Sequence, residues 1–228
     1  FINNSAANGG GLYWDKAGVT IEDMTFINNS AVISGGAIFI PTGSSTSSLV
    51  YVLNNNFTGN SANSGGAIYA IGNSIIISQN NFTNNSASYR GGAIFIPVST
   101  NGVDIGNSNF TGNKAAADGG AIFINNGRCE DIKGNFIGNY LIARTAHGEG
   151  GAIFNYASGK IGNIEGDFIR NYVKSNGGAI LNMGEMGYIK GDFVDNYVDG
   201  WGANGGAIIN RGGSIGDITG DFVRNYVN

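Results

Sequence analysis

Apolar residues along this chain come in very short runs, each bounded by Gly, Asn, Ser or Asp. Runs this brief between turn formers specify β-strands, because no helix-period stripe can develop within them. The runs recur in a fixed order. A Phe-x-x-Asn motif starts at Phe1, Phe26, Phe57, Phe82, Phe110, Phe136, Phe168, Phe193 and Phe222. A Gly-Gly-Ala-Ile motif starts at Gly35, Gly65, Gly91, Gly119, Gly150, Gly177 and Gly205, with Gly10-Gly11-Leu12-Tyr13 as its first variant. The two alternate through the whole chain. A third apolar stretch separates each Gly-Gly-Ala-Ile from the next Phe, as at 74–77, 103–105, 161–164 and 215–218. A period of about 25–30 residues holding three strands is one turn of a solenoid. The pattern predicts an all-β fold, a right-handed single-stranded parallel β-helix of eight to nine three-strand coils. Residues 1–228 form one continuous unit. At about 4.8 Å per coil the rod is roughly 40 Å long.

Stacked repeats turn sequence motifs into columns. Phe26, Phe57, Phe82, Phe110, Phe136, Phe168, Phe193 and Phe222 are expected to form a core ladder. Asn29, Asn60, Asn85, Asn113, Asn139, Asn171, Asn196 and Asn225 are expected at one corner, since Asn tolerates left-handed backbone and its amide can bond to stacked neighbours. The double glycines suit a tight corner. Early repeats read Asn-Phe-Thr-x-Asn-Ser-Ala and late ones Gly-Asp-Phe-x-x-Asn-Tyr-Val, with the change of subtype near residues 126–134. In the late half, Lys133, Glu165, Lys190 and Thr219 fall in one column and Asn135, Asp167, Asp192 and Asp221 beside it; Tyr140, Tyr172, Tyr197 and Tyr226 follow.

Composition narrows the classes. The 228 residues include 40 Gly and only 2 Pro, with 42% hydrophobic residues, which excludes a disordered tail; the paired glycines exclude collagen. A net charge of −4 with 12 Lys+Arg lacks the dense basic face of a nucleic-acid binder. Cys129 is the one cysteine and His147 the one histidine, so no intrachain disulfide and no histidine-based metal centre are expected. No apolar run reaches transmembrane length. No cofactor is implied.

The alternation of Gly-Gly-Ala-Ile with Phe-x-x-Asn resembles the repeat of the chlamydial polymorphic outer membrane proteins, and of adhesin-like surface proteins of other bacteria and methanogenic archaea. The resemblance covers essentially the whole chain, although the Gly-Asp-Phe-x-x-Asn-Tyr subtype departs from the plain chlamydial form. It implies a right-handed β-helix exported as the passenger part of an autotransporter or a related large surface protein. Adhesion or surface display is the implied role, outside the cell or associated with the outer membrane. Both ends lie in the same repeat phase without a visible cap, so a segment of a longer protein, or a protomer stacked end to end in a fibre, is expected.

Candidate binding residues lie where the pattern is interrupted. Insertions fall at 41–48, 141–149 and 198–204. The last two occupy the same turn two coils apart, and Tyr89 and Arg90 share that turn. Tyr89, Arg90, Arg144, His147, Glu149 and Trp201 are therefore the candidate contacts for a host-cell or matrix protein or a glycan. Asp167, Asp192 and Asp221 are a secondary candidate for a cation column, set against a purely structural ladder. Asn-x-Ser/Thr sequons such as Asn56-Phe57-Thr58 recur with the repeat. Two functions follow: a non-enzymatic surface passenger, stalk or fibre, or a polysaccharide-degrading β-helix enzyme of the pectate-lyase or tailspike type. The enzyme needs off-pattern carboxylates beside cations on one lateral face, whereas most late carboxylates here follow the repeat.

Overall fold

The computed structural model describes residues 1–16, 18–41, 49–98, 100–142, 148–200 and 202–228. These residues form short strands, from Ser5–Asn8 to Tyr226–Val227, each paired in parallel with its equivalents in neighbouring coils. The strands stack into sheets of nine, eight, eleven and eight members, so the chain is an all-β parallel solenoid. The eight to nine coils agree with the sequence pattern. Each coil, however, contributes to four sheets and not three. The Phe-x-x-Asn stretch bends before its Asn: Asn81–Thr83 lies in the first sheet, and Ser86–Arg90, just beyond Asn85, in the second. Ile94–Ile96 then joins the third sheet and Asn101–Gly106 the fourth.

The bend has a local cause. Asn28, Asn84, Arg170, Asp195 and Arg224, two places after each Phe, have φ of 51–55°, and Gly59, Gly112 and Gly138 take that position elsewhere. A left-handed residue cannot continue a strand. The residue adopting this backbone is thus the one before the ladder Asn, which corrects the expectation that the ladder Asn itself is left-handed. The ladder Asn turns inward instead. The backbone N–H and side-chain Nδ2 of Asn85 both donate to Asn113 Oδ1 at 3.0 Å, and Nδ2 also donates to the Phe57 carbonyl at 2.9 Å. The same three bonds recur at Asn60, Asn113, Asn139 and Asn171. Each amide thereby uses both donors and both lone pairs, which is what permits full burial.

The first-sheet phenylalanines stack with centroids 4.7–4.9 Å apart and ring planes within 10°. The strand spacing sets this distance, and parallel rings meet it by offset stacking. They fill one continuous core with the Ile and Val residues of the third and fourth sheets. The double glycine closes that core. At Gly92 an added Cβ would strike the Gly120 carbonyl of the next coil and, at 2.5 Å, the Lys114 carbonyl of the second sheet. Only bare backbone fits between these sheets.

A second aromatic column runs outside the core. The residue after each Ala-Ile points away from it by strand alternation. Tyr13, Phe39, Tyr69, Phe95, Phe123 and Phe154 follow one another at 4.9–5.4 Å, continued in register by Leu181 and Ile209. Phe95, Phe123, Phe154 and Leu181 form their own buried cluster, while Tyr13 is exposed.

The change of subtype near 126–134 is a change of corner and of strand length. In early coils Asn54, Gln79 and Asn107 are left-handed, and Asn55, Asn80 and Ser108 after them form a second inward polar ladder. In late coils Gly134, Gly166, Gly191 and Gly220 take that inward place with φ of 135–153°. A Cβ on any of them would enter the carbonyl of the coil before. The fourth sheet changes in the same coil. Val103 and Ile105 pair with Cys129 and Ile132, so the strand Arg128–Lys133 carries one extra residue, a β-bulge. In the following coils the strand splits in two, as Lys160–Ile161 and Ile164–Glu165.

Candidate functional site

The turn between the second and third sheets brings several expected contacts into one column. Arg90 bridges to Asp118, Asp118 to Glu149, Glu149 to Asn176, and Asn176 to Asn204. Arg90 and Glu149, 59 residues apart in sequence, therefore stand two coils apart on one edge. The structure gives them partners. Arg90 Nε donates to Asp118 Oδ2 at 2.6 Å, and the guanidinium lies 4.4 Å from the Tyr89 ring and 4.9 Å from the Phe123 ring. Asp118 Oδ1 accepts the Glu149 N–H at 3.2 Å. Burial raises the Asp118 pKa above the ordinary carboxylate value, against the opposing pull of Arg90. Glu149 accepts from Asn176 and forms an ion pair with Arg211, whose coil lies two further on. The intervening outward residue, Leu181, is buried.

Charges along this edge thus brace the outward aromatic column. Tyr89 is different, because its side chain is 44% exposed. Arg144, His147 and Trp201 lie outside the described residues, as do residues 42–48 of the first insertion. Asp118 and Arg211 were not expected from sequence. Asp118 carries a signal, since it precedes Gly119-Gly120 in the slot held by Arg90 one coil earlier.

The acidic column falls in the predicted order. Asp167 accepts a backbone N–H from Asp192 of the next coil at 3.0 Å, and Asp192 from Asp221 at 2.9 Å. Asn135 does the same for Asp167. Lys133, Glu165, Lys190 and Thr219 pair in register, with Lys133 Nζ 3.3 Å from Glu165. The Tyr188 hydroxyl also donates to Glu165, which holds its carboxyl below the usual range. Among the described residues no group of three His, Cys, Asp or Glu is arranged to hold a metal ion. The Tyr172, Tyr197 and Tyr226 rings stack at 4.5 and 5.4 Å.

At the bulge, Cys129 points into the core, while Asp104, Glu130 and Asp131 influence one another outside it. Burial, reinforced by these carboxylates, raises the thiol pKa well above its ordinary value. Among the described residues no helix is long and apolar enough to cross a membrane.

Residues 23–41, 56–71, 81–97 and 107–125 match the Chlamydia polymorphic membrane protein repeat. No curated protein and no solved structure matches the chain. Each matched segment spans parts of the first, second and third sheets of one coil, and so contains the Phe, Asn and Gly-Gly positions described above. The chain is a parallel β-solenoid that is similar, in four successive coils between residues 23 and 125, to the Chlamydia polymorphic membrane protein repeat.

Proposed function

We propose that this solenoid is a surface-displayed, non-enzymatic module, an adhesin-like passenger or stalk. It stands outside the cell, associated with the outer membrane in a bacterial host, and its partner is a host-cell or matrix protein or glycan. The observation that carries this is the coincidence of the four family repeats with the structural columns themselves. The repeat residues stack into ladders, leaving recognition to departures from the pattern. Tyr89 is such a departure, exposed at the turn where two insertions also fall.

Binding of the purified 228-residue chain to cultured cells and to matrix proteins tests this. The expected result is saturable binding, weakened in Tyr89→Ala or Trp201→Ala. Absence of binding to every surface would reject the reading, and binding by both variants equal to that of the wild type would reject the assignment to this turn. The polysaccharide-degrading alternative predicts new reducing ends or unsaturated products on incubation with acidic and neutral polysaccharides.

A further inference from the structure

The split of the fourth sheet in the late coils is accompanied by two grooves. Lys160, Glu185 and Ser214 stand in register as an outward column. A groove of about 400 Å³ lies on one side, lined by Ser158, Met183 and Gly184 among others. A second, of about 350 Å³, lies on the other, lined by Arg128, Asn163 and Gly187 among others. Both draw their walls from successive coils, so both run along the solenoid axis. They share the Lys160–Glu185–Ser214 column as a common ridge. Tyr188, next to Gly187, is 39% exposed beside the second groove, and its hydroxyl is held by Glu165.

The walls define a ligand chemistry. Their charges are already matched: Lys160 lies 2.8 Å from Glu185, and Arg128 lies 2.8 Å from Glu130. No net charge is left on the ridge to draw an ion. What remains is a mixture of donors and acceptors (Ser158, Ser214 and the paired ions), with the exposed Tyr188 ring next to the lining Gly187. Hydrogen-bonding walls, a fixed aromatic and an elongated open trough suit an uncharged polyhydroxylated chain. We propose that these twin axial grooves bind a linear, uncharged oligosaccharide lying parallel to the solenoid axis.

The proposal goes beyond the surface-module function, since a stalk could engage cells through its turns while this face stays empty. Isothermal titration of the full chain with linear glucan oligomers, N-acetylglucosamine oligomers and galacturonate oligomers tests it. The expected result is binding by an uncharged series that tightens with chain length. Tyr188→Ala and Ser214→Trp should each weaken it at least tenfold, with thermal unfolding unchanged. Asn109→Ala, on the first sheet, should leave it intact. Absence of binding by both uncharged series would overturn the proposal. So would tighter binding of galacturonate, or undiminished binding in a folded Tyr188→Ala/Ser214→Trp double variant. Cell binding is scored separately, so loss of one activity does not count against the other.

Discussion

The ladder asparagines show how much one side chain can determine. Asn113 accepts the N–H and the Nδ2 of Asn85 through one oxygen, and it donates to Asn139 and to the Phe82 carbonyl. Asn113→Ala leaves the Asn85 N–H buried without its partner, and each such orphan costs about 1–3 kcal/mol. A loss of about 3 kcal/mol is expected in urea unfolding. Phe110→Ala opens a gap between two stacked rings and should cost about 3–5 kcal/mol by the same measurement. Cys129 reports on the core without disturbing it. Buried, with a raised thiol pKa, it should resist thiol-modifying reagents in the folded chain and react once urea unfolds it. Rapid labelling under native conditions would contradict the packing described here. A buried polar atom at the subtype junction also has a residue-level explanation. Asn155, Asn182 and Asn210 form a third amide ladder, but the coil before Asn155 offers Ile124 in that place. Asn155 Oδ1 is therefore left without a hydrogen bond.

At the scale of elements, the corners decide which strands exist. The alternation of Phe-x-x-Asn and Gly-Gly-Ala-Ile was enough to place the first and third sheets and both ladders. The second sheet was not legible, because its early strands are Ser-Ala-rich and carry almost no hydrophobic signal; its boundary is set by a left-handed residue such as Asn84. The late fourth sheet was half-legible. Ile161-Gly162-Asn163-Ile164, Met186-Gly187-Tyr188-Ile189 and Ile215-Gly216-Asp217-Ile218 repeat an apolar spacing of three, where Ile75 and Ile77 show two. That spacing marks the extra residue that the bulge introduces. The Gly134 corner depends on the absence of a side chain, since a Cβ there would enter the Ser108 carbonyl. Gly134→Ala should unfold the junction coils, seen as lost amide protection around 128–136. The Arg90–Asp118 brace carries a pH dependence. The folded pKa of Asp118 is raised above its ordinary 3.8, so the folded chain takes up this proton first on acidification. Between those two values stability rises as pH falls, and above them the charged, buried carboxylate persists at a desolvation cost. Asp118→Asn should remove that part of the slope, read as the difference between variant and wild-type urea midpoints across mildly acidic pH.

For the whole molecule, strand pairing among the described residues joins only adjacent coils, and the Glu149–Arg211 ion pair reaches one coil further, so damage should stay local. In native-state hydrogen exchange, Asn113→Ala is expected to expose the amides of the coils around Asn85, Asn113 and Asn139 and to leave those near Asn196 protected. Uniform loss of protection would mean the rod unfolds as one cooperative unit. A periodic rod presents repeated surfaces, and the period is broken at the turn bearing Tyr89 and along the late fourth sheet, the two places to which the proposals above assign binding.

The sequence by itself determined the solenoid, its period, its two principal ladders and the change of subtype. All of these depend on residues recurring in order, and stacking requires only that equivalent positions meet. Tertiary structure alone decided what joins non-equivalent positions. It paired Arg211 with Glu149, buried Phe123 and Leu181 on the outer face, engaged Asp167 and Asp192 with backbone N–H groups and opened the twin grooves. Those outcomes depend on side-chain reach across coils and on which backbone groups the corners leave unpaired, and no spacing in the sequence records either.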